Sequence, residues 1–141
     1  MINTPQSSTG HTYTVEIRFT GEHLDPSSIS KRIGLEPTNS RTLAHARSKG
    51  RIARPFWAYN GQNEPGFNSE WHLLESGLEF LLRRLAPKQA TVLELSREYE
   101  GVLWCGHFQT SFDGGPVLSP KILMEIAGFG LPLFIDNYFS D

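Results

Sequence analysis

Between positions 69 and 86 the side chains Trp71, Leu74, Leu78, Leu81, Leu82 and Leu85 recur at three- and four-residue intervals, while Glu75, Glu79 and Arg83 repeat four apart on the other side. That is the period of an α-helix with one apolar stripe, and the stripe has to be buried against a second layer. Asn68 or Ser69 supplies an N-cap acceptor and Pro87 a stop. The second layer is visible upstream. Tyr13, Val15, Ile17 and Phe19 alternate with Thr12, Thr14, Glu16, Arg18 and Thr20, the period-two pattern of a strand with one face in a core.

The rest of the chain extends this helix-on-sheet plan. Asp25-Pro26 pairs a cap acceptor with a proline at the first helical position, and a short helix carrying Ile29 and Ile33 follows, closed by Gly34. Positions 38–54 have no period and read as loop; 56–59 read as a short strand before the Asn60-Gly61 turn. Two strands, 91–96 and 102–112, are expected to pair as a hairpin across a charged turn. In the second, Val102, Trp104, Gly106, Phe108, Thr110 and Phe112 are taken as the core face. Ser119-Pro120 opens a third helix that Gly128 ends, and a last strand over 131–139 sets Leu133, Ile135 and Asn137 against Phe134, Asp136 and Tyr138. The order β-α-β-α-β-β-α-β predicts an α+β fold: a mainly antiparallel sheet of about five strands with three helices packed on one face. Positions 1–12 read as a flexible N-terminal tail and 13–141 as a single α+β domain.

Composition narrows the function classes. The 141 residues carry 13 basic and 15 acidic side chains, a formal charge of −2. That is far from the balance of a uniformly basic nucleic-acid binder. Cys105 is the one cysteine, so there is no internal disulfide and no zinc site built mainly of thiolates. No apolar run approaches the roughly 18 residues that span a bilayer, so the expectation is a soluble, cytoplasmic protein without a membrane partner.

Charge is unevenly placed. Between Pro37 and Asn63 stand Arg41, Arg47, Lys49, Arg51 and Arg54 with no carboxylate. These five of the 13 basic groups leave eight against all 15 acidic ones elsewhere, a balance of −7 for the remainder. Such a loop suits an anion, an RNA or an acidic partner, or is simply a solvated loop whose arginines pair with carboxylates of the body. Aromatic residues do not alternate with its charges until Phe56-Trp57, as a stacking platform for bases requires, so nucleic acid is disfavoured.

Chemistry-bearing residues are sparse. Cys105 and His107, two apart on a strand, share a face as a metal or thiol–imidazole pair needs, and Asp136 or Glu94 could approach from a neighbouring strand. A zinc site wants at least three protein ligands, and no companion stands at a recognisable spacing, so packing is the simpler reading of both. The five histidines at 11, 23, 45, 72 and 107 form no recognisable motif. Ser119 reads as a cap rather than a nucleophile, and Asp113-Gly114-Gly115 as a turn rather than a phosphate loop. No catalytic residue, metal site or cofactor is assigned.

The runs Gly21-Glu22-His23-Leu24-Asp25-Pro26 and Gly34-Leu35-Glu36-Pro37-Thr38 resemble the opening of the bacterial domain of unknown function family 4279. Leu118-Ser119-Pro120, Gly128-Phe129-Gly130 and a last strand with Asp136 and Tyr138 resemble its end. The resemblance runs from about Tyr13 onward and departs in the longer, more basic loop 38–54. It implies a small α+β protein without established catalytic residues. It also implies a link to immunity proteins, which bind and neutralise toxins of contact-dependent or other polymorphic toxin systems. The expected function is therefore non-catalytic protein binding, with a secreted toxin domain as partner and the oligomeric state open. The expected binding residues are Glu16, Arg18, His107 and Asp136 on a polar sheet face, with Arg47, Arg51 and Arg54 in the loop. The alternatives are a small metal-dependent enzyme using His107, Cys105 and a carboxylate, or an RNA- or phosphate-binding module using the 41–54 loop.

Overall fold

The alternation that begins near Tyr13 becomes β1 (His11–Thr20), whose odd-numbered residues are buried and whose even-numbered residues are half-buried along its whole length. The computed structural model describes residues 10–48 and 54–140. Positions 1–9 of the expected tail, together with Lys49 and Arg51, lie outside the described residues, as does the side chain of Arg47. His11 and Thr12, assigned to the tail from their polarity, are the first two residues of β1 and pair with Gln109 and Phe108.

Asp25 caps α1 (Pro26–Ile33) by accepting from the Ser27 N–H at 3.2 Å, and Gly34 closes it at φ 76°, the left-handed conformation in which a Cβ is disfavoured. Then come β2 (Asn39–Arg41), α2 (Leu43–Ser48), β3 (Phe56–Tyr59), α3 (Leu74–Leu85), a 3-10 turn (Ala86–Lys88), α4 (Gln89–Glu98), β4 (Glu100–Gln109), α5 (Pro120–Gly128) and β5 (Leu133–Phe139). The sheet order is β2-β3-β1-β4-β5. Every neighbouring pair is antiparallel except β4–β5, which is parallel because α5 carries the chain across. The fold is the expected α+β sandwich, with α1, α3, α4 and α5 rather than three helices on one face of the sheet.

Several expectations are corrected. The stretch 38–54 contains β2 and α2 rather than loop alone. The long helix starts at Leu74, not near Ser69, and its cap position Leu73 makes no side-chain cap bond. The cause lies in β1: β3 pairs only with Ile17 to Thr20, which leaves the Tyr13 N–H and C=O open, and Trp71 fills both in extended conformation at 2.7 and 2.8 Å. The segment 91–96 is helical, within α4, so the hairpin does not exist. Val92 and Leu95 are fully buried three residues apart, which is helical spacing; α3 ends at Leu85, just before Pro87 as expected, and Pro87 lies in the 3-10 turn that leads into α4. α5, by contrast, ends at Gly128 as expected, and Gly130 beyond it turns left-handed at φ 72°.

The face of β4 is also reversed. Register places Ile17 opposite Leu103, Val15 opposite Cys105 and Tyr13 opposite His107. Cross-strand partners share a face, so the odd-numbered residues of β4 join the core and Val102, Trp104, Gly106 and Phe108 do not. The core gathers Ile17, Phe19 and Trp57 from the sheet with Ile29, Ile33, Leu78, Leu81, Leu85, Val92, Leu95, Ile122 and Ile126 from the helices. Burying a side chain of this size contributes about 1.5–3 kcal/mol. No helix among the described residues is long and apolar enough to cross a membrane.

Candidate binding surface on the open sheet face

With all four packed helices on one side, the even-numbered side of the sheet is left without a helical layer among the described residues. Glu16 and Arg18 reach it from β1, Trp104 and Phe108 from β4, Phe134, Asp136 and Tyr138 from β5, and Phe56 from β3. These side chains are organised among themselves. Arg18 donates from Nε to Glu16 Oε2 at 2.8 Å and lies over Trp104, its Cζ 4.0 Å from that ring centroid and 5.6 Å from the centroid of Phe56. Arg41 of β2 covers Phe56 at 5.2 Å. Trp104 meets Phe134 edge to face at 5.1 Å, and Phe108 stacks on Tyr138 at 4.9 Å. Phe108, Phe134 and Tyr138 remain 42%, 45% and 45% exposed, too much for core members and enough for contact residues.

The electrostatics are balanced. Arg18 is paired with Glu16, and the Tyr138 hydroxyl donates to Asp136, a bond that raises the phenol above its usual range. Two arginines and two carboxylates leave the face without the net positive field that a nucleic-acid groove needs. Arg54, at the end of the basic stretch, pairs with Glu100 on β4.

Three of the sequence-assigned residues, Glu16, Arg18 and Asp136, thus share one face, and the fourth does not. His107 points to the helical side, 4% exposed, where its ring stacks on Tyr13 at 4.7 Å. Its Nε2 lies 2.7 Å from His11 Nδ1 and its Nδ1 lies 2.7 Å from Asn137 Oδ1. His11 Nε2 in turn reaches the Asp113 carbonyl at 2.6 Å. Cys105 is on the same side, fully buried, and burial pushes its thiol up to about 12, so it stays protonated. Asp136 is on the opposite face and Glu94 is on α4 near Arg32, so the ligand set considered for a metal does not converge. Among the described residues no group of three or more His, Cys, Asp or Glu side chains could hold a metal ion.

On the helical side, a cavity of about 900 Å³ opens beside His11, Leu74, Glu75, Asp113 and Ser119. Its best-placed carboxylate is already engaged: Glu75 accepts from the Ser119 N–H at 2.6 Å and from its hydroxyl at 3.0 Å.

Sequence reasoning missed the aromatic half of the open face and the His11–His107–Asn137 chain. The alternation of β5 did separate Phe134, Asp136 and Tyr138 from Leu133 and Ile135. Trp104 and Phe108 were lost because both faces of β4 are apolar enough to pass for core.

A sheet helix-covered on one side and studded with half-exposed aromatics and a stacked arginine on the other describes an α+β protein with two chemically distinct sheet faces. The chain belongs to a family described as a domain of unknown function (DUF4279), whose model matches residues 11–140. No curated protein and no solved structure matches it.

Proposed function

We propose that this chain is a non-catalytic protein-binding module that holds its partner on the open sheet face, and that it serves in the cytoplasm as an immunity protein, with a toxin domain as the partner it neutralises. The observation carrying the reading is the Arg18–Trp104–Phe134 cluster beside Phe108 and Tyr138. Trp, Tyr and Arg dominate the energetics of protein interfaces, and here they pack against one another, which reduces the rotamer freedom lost on binding. A body whose carboxylates outnumber its basic groups outside the 37–63 stretch complements the basic substrate groove of a nuclease-type toxin.

The test is co-expression with the toxin encoded by the adjacent reading frame, scored for cell survival and for co-purification. The wild-type chain is expected to protect and to co-purify. The Trp104→Ala, Phe134→Ala double variant, folded by circular dichroism, is expected to bind at least about 30-fold more weakly, as loss of an interface hot spot implies. Failure of the wild type to protect or to capture the toxin, or a double variant that binds as well as wild type, sinks the reading.

A further inference from the structure

The two edges of the sheet are not equivalent. β2 is three residues long, a short edge of the kind that discourages pairing. β5 is seven residues, Leu-Phe-Ile-Asp-Asn-Tyr-Phe, without proline, lysine or arginine, and among the described residues no strand pairs with its outer side. Backbone polarity along it is fixed by β4. The Pro132 carbonyl accepts from the Leu103 N–H at 2.9 Å and the Ser140 N–H donates to the Gln109 carbonyl at 3.1 Å. Even-numbered residues therefore bond inward, and the N–H and C=O groups of Leu133, Ile135, Asn137 and Phe139 point outward.

This edge is complementary to itself in one register. A two-fold antiparallel pairing must join outward residues to outward residues, and the registers that overlap most of the strand put Ile135, Asp136 or Asn137 on the axis. With Asp136 there, two carboxylates face each other at the closest cross-strand spacing, which is repulsive. With Ile135 there, Asp136 faces the second copy's Phe134, which offers no donor. With Asn137 there, Asp136 faces the second copy's Tyr138, whose hydroxyl already donates to a carboxylate two residues away in its own strand. Ile135 then meets Phe139 of the other copy, and the two Asn137 residues meet at the axis.

We propose that the outer edge of β5 is a self-association site, at which two copies of the chain pair antiparallel about a two-fold axis at Asn137 and join their sheets into one. The pairing leaves the open face of each copy uncovered and does not depend on what that face binds.

Sedimentation equilibrium of the full chain from micromolar to millimolar concentration is expected to show a dimer. Phe139→Pro, which removes one outward N–H at a 44% exposed position, is expected to shift it to monomer while circular dichroism remains that of the folded chain. Cysteine scanning fixes the register. Asn137→Cys brings two Cα atoms to about 5.5 Å across the axis, inside the disulfide range of about 4.4–6.8 Å, and is expected to cross-link under mild oxidation. Asp136→Cys, offset by two positions from its copy, is not. The buried Cys105 does not compete. A monomer at every concentration overturns the proposal, including one that takes up another protein's strand along β5. So does a dimer indifferent to Phe139→Pro, or cross-linking at position 136 in place of 137.

Discussion

A hydrogen has to be assigned to every contact in the buried histidine chain. The Asp113 carbonyl only accepts, so His11 Nε2 carries a hydrogen, and in a neutral ring its Nδ1 then accepts from His107 Nε2–H. His107 Nδ1 is left to meet Asn137, whose amide presents oxygen to a doubly protonated ring or nitrogen to a neutral one by rotating in place. The chain ties β1, β4, β5 and the Asp113 turn together. Removing its middle member takes a bond from His11 and opens a void beside Tyr13. His107→Ala is therefore expected to lower stability by about 2–4 kcal/mol in urea unfolding, whereas Asn137→Ala, at the exposed end, is expected to cost about 1 kcal/mol. Equal effects would show that the histidine contributes no more than its outer bond. Cys105 gives a pH dependence whose sign is fixed. Its thiol ionises near 9.0 when unfolded and near 12 when folded. The unfolded state binds fewer protons between those values, so this stability is intact below pH 9 and is lost as pH rises toward 12, by about 1.4 kcal/mol per pH unit. Cys105→Ala is expected to flatten that decline in denaturant titrations at several alkaline pH values.

Among the elements, the two cap-plus-proline helix starts were the most legible feature and face assignment the least. Asp25-Pro26 and Ser119-Pro120 each open a helix as read, because capping depends on two adjacent residues and on nothing distant. Segment 91–96 was misread because β-branched and leucine residues at short range suit either period, and only the burial of Val92 and Leu95 together separates them. β4 failed for a different reason. Its pattern is apolar on both sides, so its orientation is dictated by its partner β1 and is not contained in its own sequence. Half of the open face, Glu16 and Arg18 on β1 and Asp136 on β5, was accordingly legible, and the Trp104 half was not. The Ser119 cap extends beyond its own helix: its oxygen accepts from the Ile122 N–H at 3.3 Å while its hydroxyl donates to Glu75 on α3. Ser119→Ala is expected to cost about 1–2 kcal/mol. In a Glu75→Gln background the cost is expected to shrink, because part of it is the bond between the two helices. Additive losses in that double-mutant cycle would assign the whole effect to the cap.

At the scale of the molecule the −2 net charge divides into +5 within 37–63 and −7 elsewhere, but the fold moderates that contrast. Arg54 folds back onto Glu100, and Arg41 is spread over Phe56 at the rim of the open face. Of the remaining acids, Glu98 holds Arg32 in a two-pronged pair, at 2.9 and 2.6 Å, that keeps the carboxyl below its usual range. Exposed pairs of this kind contribute little to stability. What persists at long range is the acidic excess, and under the proposed function its effect falls on encounter rather than on the proposed contact at Trp104 and Phe134. For a basic partner the association rate is expected to fall at least about tenfold between low salt and about 0.5 M, where screening shortens the reach of charge to a few ångströms. The dissociation rate is expected to stay nearly constant, because the aromatic contacts that set it are not screened. Surface plasmon resonance across a salt series separates the two. A salt effect confined to dissociation would move the charges into the contact itself, and with them the assignment of the open face as an aromatic anchor.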